Sequence, residues 1–238
     1  SIDSSKATSW FGYGFEQFKA APGIWIGLVV IYFVLAILMG LVPFLGSLAS
    51  NILMPVFMGG LMMACHAYSN QQEVKIDHIF AGFKQKFGPL ALVGLFYLIA
   101  VFAVVLFIGI IAAIFFGGAL ITAAMSGGAS AGAAGALMGV GMSAVALLVL
   151  VGVLLFVPLM MAIWLAPALV VFHNIAPFNA LMMSLKGTLK NWSAFLIYFI
   201  LVVVLAIVAT IPVGLGWLIL APVLIGVQYA AYRDIFLR

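Results

Sequence analysis

The sequence predicts an all-α polytopic membrane protein, with six transmembrane helices in three parallel two-helix repeats, each preceded by an amphipathic interfacial helix. Three observations carry this prediction. Of 238 residues, 68% are hydrophobic and only 6% are charged, against roughly half and a quarter in soluble domains. Residues 20 to 72, 87 to 185 and 191 to 232 contain no Asp, Glu, Lys or Arg. Short stripes of Phe, Ile and Leu with polar and basic partners stand ahead of the first, third and fifth apolar segments. A soluble globule is excluded, because nine Lys plus Arg and five Asp plus Glu cannot cover the surface of a domain this long. The same apolar content excludes disorder. The single cysteine, Cys65, leaves no intrachain disulfide and no Cys-rich metal site.

Each charge-free stretch holds two spans, since a bilayer core of about 30 Å takes about 20 residues at about 1.5 Å each. The spans fall near 24–42, 48–67, 89–122, 136–171, 193–211 and 215–232. Turn chemistry separates them at Val42-Pro43-Phe44-Leu45-Gly46, in the Gly/Ala/Ser tract from Ser126 to Gly135, and at Pro212-Val213-Gly214-Leu215-Gly216. The first stripe is Phe11, Phe15 and Phe18, with Glu16, Gln17 and Lys19 elsewhere on the helix, ending at Pro22. The second is Ile76, Ile79, Phe80, Phe83 and Phe87, with Asp77 as N-cap, Lys84, Gln85 and Lys86 facing away, and Gly88-Pro89 as its stop. The third is Phe178, Leu181, Leu185 and Leu189 after Pro177, which suits a first helical turn, with Asn179, Lys186 and Lys190 as polar residues. Such stripes read as helices in the headgroup layer, the alternative being a solvated loop with some aromatics.

A single membrane domain covers 1–238, with repeats at about 7–70, 75–173 and 176–238. The second span of each repeat carries an internal proline: Leu53-Met54-Pro55, Leu165-Ala166-Pro167 and Leu220-Ala221-Pro222. Two crossings per repeat return the chain to its starting side, so the repeats are related by an axis along the membrane normal. With Gly14-Phe15 through Phe18-Lys19, Pro22-Gly23-Ile24-Trp25, the Pro43 to Gly46 turn and the Leu-x-Pro runs, the chain resembles a family of bacterial six-span membrane proteins of unassigned function. That family is similar to the membrane domain that some glycerophosphodiester phosphodiesterases carry. The resemblance implies the fold and a bacterial inner membrane, and it transfers no catalytic residue.

All nine basic residues, Lys6, Lys19, Lys75, Lys84, Lys86, Lys186, Lys190, Arg233 and Arg238, fall on one side of a six-span topology. The positive-inside rule makes that side, and both termini, cytoplasmic. The first apolar segment reads as an uncleaved anchor and not as a cleavable signal peptide, and no lipidation motif is evident. Lys19, Lys84, Lys86, Lys186, Lys190 and Arg233 are the candidate lipid-headgroup contacts.

No catalytic, cofactor or metal site is expected. The membrane centre lacks an ionisable residue of the kind proton relays use, which counts against proton coupling; sodium coupling through carbonyls at broken helices stays open. Asp234 and Arg233 read as an interfacial pair. His66, His78 and His173 stand singly, without ligand spacing, and read as interfacial or helix-capping residues. No GxSxG elbow, HExxH helix or GK[ST] ending is present, and no nucleic-acid partner is expected. Pro55, Pro158, Pro167 and Pro222 are expected helix kinks, opening polar spots near Asn51, Thr122, Thr210 and Gln228. Gly128, Gly132, Gly135 and Gly139 stand at GxxxG spacings that suit close helix packing, with a flexible linker the alternative up to Gly135. The third and fourth helices, at about 35 residues each, exceed an upright crossing, which predicts a projecting or re-entrant hairpin around 112–148. The expected function is a non-enzymatic structural or accessory protein that engages anionic lipid and a membrane-protein partner or itself. The alternative is a channel or transporter for a small neutral or lipid-like solute.

Overall fold

The computed structural model describes residues 2–43, 45–125 and 131–237, with side chains in 116–140 left out of account. Among these residues the chain is built of helices: α1 (Lys6–Ala20), α2 (Pro22–Gly40), α3 (Leu45–Ser69), a 3-10 turn (Ile76–Phe80), α4 (Ala81–Gln85), α5 (Phe87–Met125), α6 (Ala131–His173), α7 (Pro177–Lys190), α8 (Trp192–Thr210) and α9 (Trp217–Phe236). Six stretches, Pro22–Gly40, Leu45–Ser69, Phe87–Phe115, Gly141–His173, Trp192–Thr210 and Trp217–Phe236, are long and apolar enough to cross a bilayer. Pro22 and Pro177 open α2 and α7 where a missing N–H costs nothing. The inner spans α3 and α6 are followed by Gln71 (φ 58°) and Asn174 (φ 53°), left-handed residues that end a helix by turning its last carbonyls.

The chain packs as two compact units. One comprises Ser1–Phe96 with Met161–Arg238; the other is Tyr97–Met160. In the second unit the two helices pair antiparallel, with the Tyr97 hydroxyl donating to Met160 Sδ at 3.5 Å and Gly152 facing Ile108. Most of its described side chains are exposed and apolar, as a lipid-facing surface requires. Helices α5 and α6 are 39 and 43 residues long, or about 58 and 64 Å at the usual rise, against a core of about 30 Å. The expected hairpin at 112–148 falls largely on side chains outside the described set, with 126–130 wholly outside it.

In the first unit, each repeat docks its leading helix onto the two spans of the repeat before it. The 3-10 turn and α4 lie on α3 and α2; α7 lies on α6 and meets α5 through Phe96 and Phe178; α1 closes the cycle on α9 and α8. At the centre of each seam a small residue meets one carbonyl and the amide nitrogen four residues on. A Cβ added to Gly14 would run into the Val223 carbonyl oxygen and lie 3.2 Å from the Val227 nitrogen. One added to Gly82 would run into the Val56 oxygen and lie 3.3 Å from the Gly60 nitrogen. In the third seam Ser184 Oγ donates to the Met161 carbonyl at 2.7 Å and accepts the Leu165 N–H at 3.0 Å. The three seams share one geometry.

This docking adds a buried face to the leading helices that their apolar stripes do not mark. Helix α1 buries Ala7, Trp10, Gly14, Gln17 and Phe18, so Gln17 is inside and Phe15 is outside, the latter beneath Lys19 with its Nζ 5.2 Å from the ring centroid. Helix α7 buries Ala180, Leu181, Ser184 and Thr188 and exposes Phe178 and Leu189. The second stripe is broken into the 3-10 turn and α4, with Lys75 as N-cap and Asp77 in the first turn. The physical reason is shared by all three. Backbone-to-backbone approach places a small residue at each contact, which leaves Phe15, Phe80, Phe178 and Leu189 outside while Trp10, Phe18, Ile79 and Leu181 stay buried. The Leu-x-Pro register holds for Pro55 and Pro222, each one residue before its seam carbonyl, whereas Pro167 falls six residues after Met161. Helix continues through Pro55, Pro158, Pro167 and Pro222.

Candidate functional site

The inner spans meet at the lysine-bearing end of the first unit. His66 on α3 has Nδ1 2.9 Å from the Tyr229 hydroxyl on α9, and His173 on α6 has Nε2 2.8 Å from the Tyr232 hydroxyl. Phe172 lies between them, its ring centroid 4.9 Å from His66 and 5.3 Å from Tyr232. Sequence reading left the histidines scattered; folding brings His66 and His173 to the two tyrosines of one helix. His78 stays apart, its Nδ1 accepting the Lys75 N–H at 3.0 Å. No three His, Cys, Asp or Glu come together among the described residues.

Beside this aromatic cluster the Arg233 guanidinium lies 5.1 Å over the Tyr13 ring and 5.9 Å from that of Tyr229, and donates from Nη1 to the Ser69 hydroxyl at 3.2 Å. Burial pushes the Tyr13 phenol well above its usual range, so it stays protonated under the guanidinium. Next to Arg233 opens a cleft of about 510 Å³, lined by the polar side chains of Tyr13, Tyr68, Ser69, Gln71, Gln72 and Glu73 and by apolar Ala21, Ile24 and Val74. Asp234, the next residue, accepts the Trp10 indole N–H at 2.9 Å.

Of the expected headgroup contacts, Lys19, Lys84, Lys186 and Lys190 are exposed, while Lys86 and Arg233 are half-buried. Lys86 donates to the Asn174 side chain, which follows α6. Gly128 lies outside the described residues, as do the packing surroundings of Gly132, Gly135, Gly139 and Thr122. Asn51 and Thr210 bond their own helix at Ser47 and Ala206, and Gln228 donates to the Trp164 carbonyl. Buried Gln17 donates to Cys65 Sγ at 3.4 Å. Sequence reading missed Tyr13, Tyr68 and Ser69 as neighbours of Arg233. No spacing signal joins positions so far apart.

With the six apolar spans in place, the chain is an all-α polytopic membrane protein. No family model matches it, and no solved structure does. It is similar to one protein of Burkholderia thailandensis described as a probable inner membrane protein. The two are 29% identical over 203 residues, which span 83% of this chain and 72% of the relative. Within the first unit the polar chemistry sits at the lysine-bearing end, where a guanidinium, exposed ammonium groups and phenols are presented together beside outward-facing Phe15, Phe80 and Phe178.

Proposed function

We propose that this chain is a non-enzymatic protein of a bacterial inner membrane, termini on the cytoplasmic side, whose basic aromatic collar engages anionic lipid and a membrane-protein partner or a second copy of itself. The observation that carries this reading is the threefold division of the leading helices. Each sets a small residue against the bundle beside buried Trp10 and Phe18, Ile79, or Leu181, and leaves other large apolar side chains and its lysines exposed. A helix so divided sits at headgroup depth. Four exposed lysines, Lys19, Lys84, Lys186 and Lys190, contribute roughly 4 kcal/mol against an anionic surface at about 1 kcal/mol each. The relative's description as an inner membrane protein supports the location, and the charge bias supports the orientation. The resemblance to a membrane domain that accompanies an enzyme in other chains supports an accessory role.

Polymer-extracted native discs test the collar. The Lys84→Gln/Lys186→Gln/Lys190→Gln variant is expected to carry less anionic lipid and less co-purifying partner than the parent. Saturable solute flux in proteoliposomes, with no stable partner recovered, would overturn the reading in favour of a channel or transporter. Orientation is tested by an impermeant thiol reagent: Val213→Cys, in the turn between α8 and α9, should react in intact cells, and Lys84→Cys only after permeabilisation.

A further inference from the structure

The cleft beside Arg233 has the features of a built site, whereas the lysine collar is diffuse. Arg233 carries five N–H donors in a rigid plane, and one is committed to Ser69. The plane is held over Tyr13 and near Tyr229, so little side-chain freedom remains to be lost when an anion arrives. Planar N–H pairs of this kind match phosphate oxygens with two parallel bonds. The Ser69 hydroxyl and the Tyr68 side chain share the cleft with Arg233, and Glu73, which also lines it, is engaged by Lys75 at 3.5 Å. The lining is also partly apolar, with Ala21, Ile24 and Val74 beside Gln71 and Gln72. Ala21 and Ile24 belong to the junction and first turn of α2, which leads directly into a span, and Val74 stands beside them. A soluble anion has no use for these apolar residues. A molecule with a phosphate at one end and hydrocarbon at the other suits both kinds of lining residue, and about 510 Å³ lies within the usual range for a small-molecule site, about 300–1,000 Å³.

We propose that this cleft binds the phosphate of a phospholipid headgroup as a single retained ligand, with Arg233 and Ser69 on the phosphate and Ile24 and Val74 along the start of the acyl region. The recognised chemistry is a phosphate ester, and the proposal rests on the lipid-engaging reading only for the source of that phosphate.

The test is native mass spectrometry after detergent exchange that strips loosely held lipid. The parent protein should keep one phospholipid, and Arg233→Gln should lower its retention about tenfold or more, the value of a charge-assisted hydrogen bond. Arg233→Lys should fall between, because an ammonium keeps the charge without the fork, and Ser69→Ala should show a smaller loss. The triple collar variant should keep the retained lipid while losing bulk anionic lipid, so the two readings fail separately. Inorganic phosphate alone, added to delipidated protein, should bind weakly and leave the lipid in place. Displacement of the lipid by inorganic phosphate would overturn the lipid assignment. Parent-level retention in a folded Arg233→Gln protein would overturn the site. Should that variant not fold, parent-level retention in both Arg233→Lys and Ser69→Ala would do the same.

Discussion

Two glycines of α1, two positions apart, should respond to alanine with opposite signs. At Gly12 an added Cβ has nothing within 4 Å, so alanine only reduces the freedom of the unfolded chain and improves helix propensity, a gain of about 0.5–1 kcal/mol. At Gly14 the same methyl would lie 3.2 Å from both the Val223 carbonyl carbon and the Val227 nitrogen, and nearer still to the Val223 oxygen. From the other side, a Cβ on Gly226 would lie 2.7 Å from the Gly14 Cα. Both walls are backbone, which cannot swing aside as a side chain can. Overpacking of this kind costs about 1–3 kcal/mol, so Gly12→Ala and Gly14→Ala should differ by roughly 1.5–4 kcal/mol. Equilibrium unfolding in detergent would measure the difference. Trp10 reports on the seam itself, since it is buried on the same face with its ring 5.8 Å from Phe195. If Gly14→Ala were as stable as Gly12→Ala, with unchanged Trp10 emission, the close docking of α1 on α9 would be wrong.

Ser184→Leu should destabilise by about 1–3 kcal/mol through overpacking at the α6 seam, and Ser184→Ala by only about 0.5–1.5 kcal/mol, because the Met161 carbonyl and Leu165 N–H can still pair with each other; thermal unfolding of both variants checks the order. Val213 holds φ 54° in the turn between α8 and α9 and is 96% exposed. A β-branched residue there stores roughly 1–3 kcal/mol of strain with no packing to offset it. Val213→Gly should therefore raise the melting temperature by a few degrees, and a drop would contradict the strained turn.

Charge gaps and turn residues carried the spans, because desolvating an ion in hydrocarbon is costly enough to leave a clear trace in one sequence. The faces of the leading helices were harder to read. Phe11, Phe15 and Phe18 form the more hydrophobic stripe, yet of these Phe18 alone is buried, and Gly14 and Gln17 lie against the bundle with it. Hydrophobicity ranks side chains by transfer from water and says nothing about which side lets two backbones meet. The legible clue was internal similarity: Gly14-Phe15-Glu16-Gln17, Gly82-Phe83-Lys84-Gln85 and Ser184-Leu185-Lys186-Gly187 stand at matching places and begin with the three seam residues. The expected packing motif lay instead in the Gly/Ala tract around Gly128 to Gly139. The Arg233 cleft left no such trace, since Tyr13, Ser69 and Arg233 come from three helices, α1, α3 and α9, far apart in the sequence.

That closure has a consequence for a chain cut in two. Each leading helix docks on the repeat before it, so no repeat can bury its own leading helix. A break between Ile175 and Ala176 leaves one fragment with α1 to α6 and another with α7 to α9. Two seams then run between fragments, Gly14 against α9 and Ser184 against α6, while the Gly82 seam stays inside the first. Co-expressed fragments should co-purify, because intermolecular contacts replace a single covalent link with two docked helices and the α3–α9 contact. Gly14→Ala should weaken that association. Gly82→Ala, at an equally tight backbone contact, should lower the stability of the first fragment and leave the partner bound to whatever remains folded. An equal loss of association from both variants would mean that the seams are not arranged in a cycle. Repeat one and repeat three would then have to be joined by the inner spans alone.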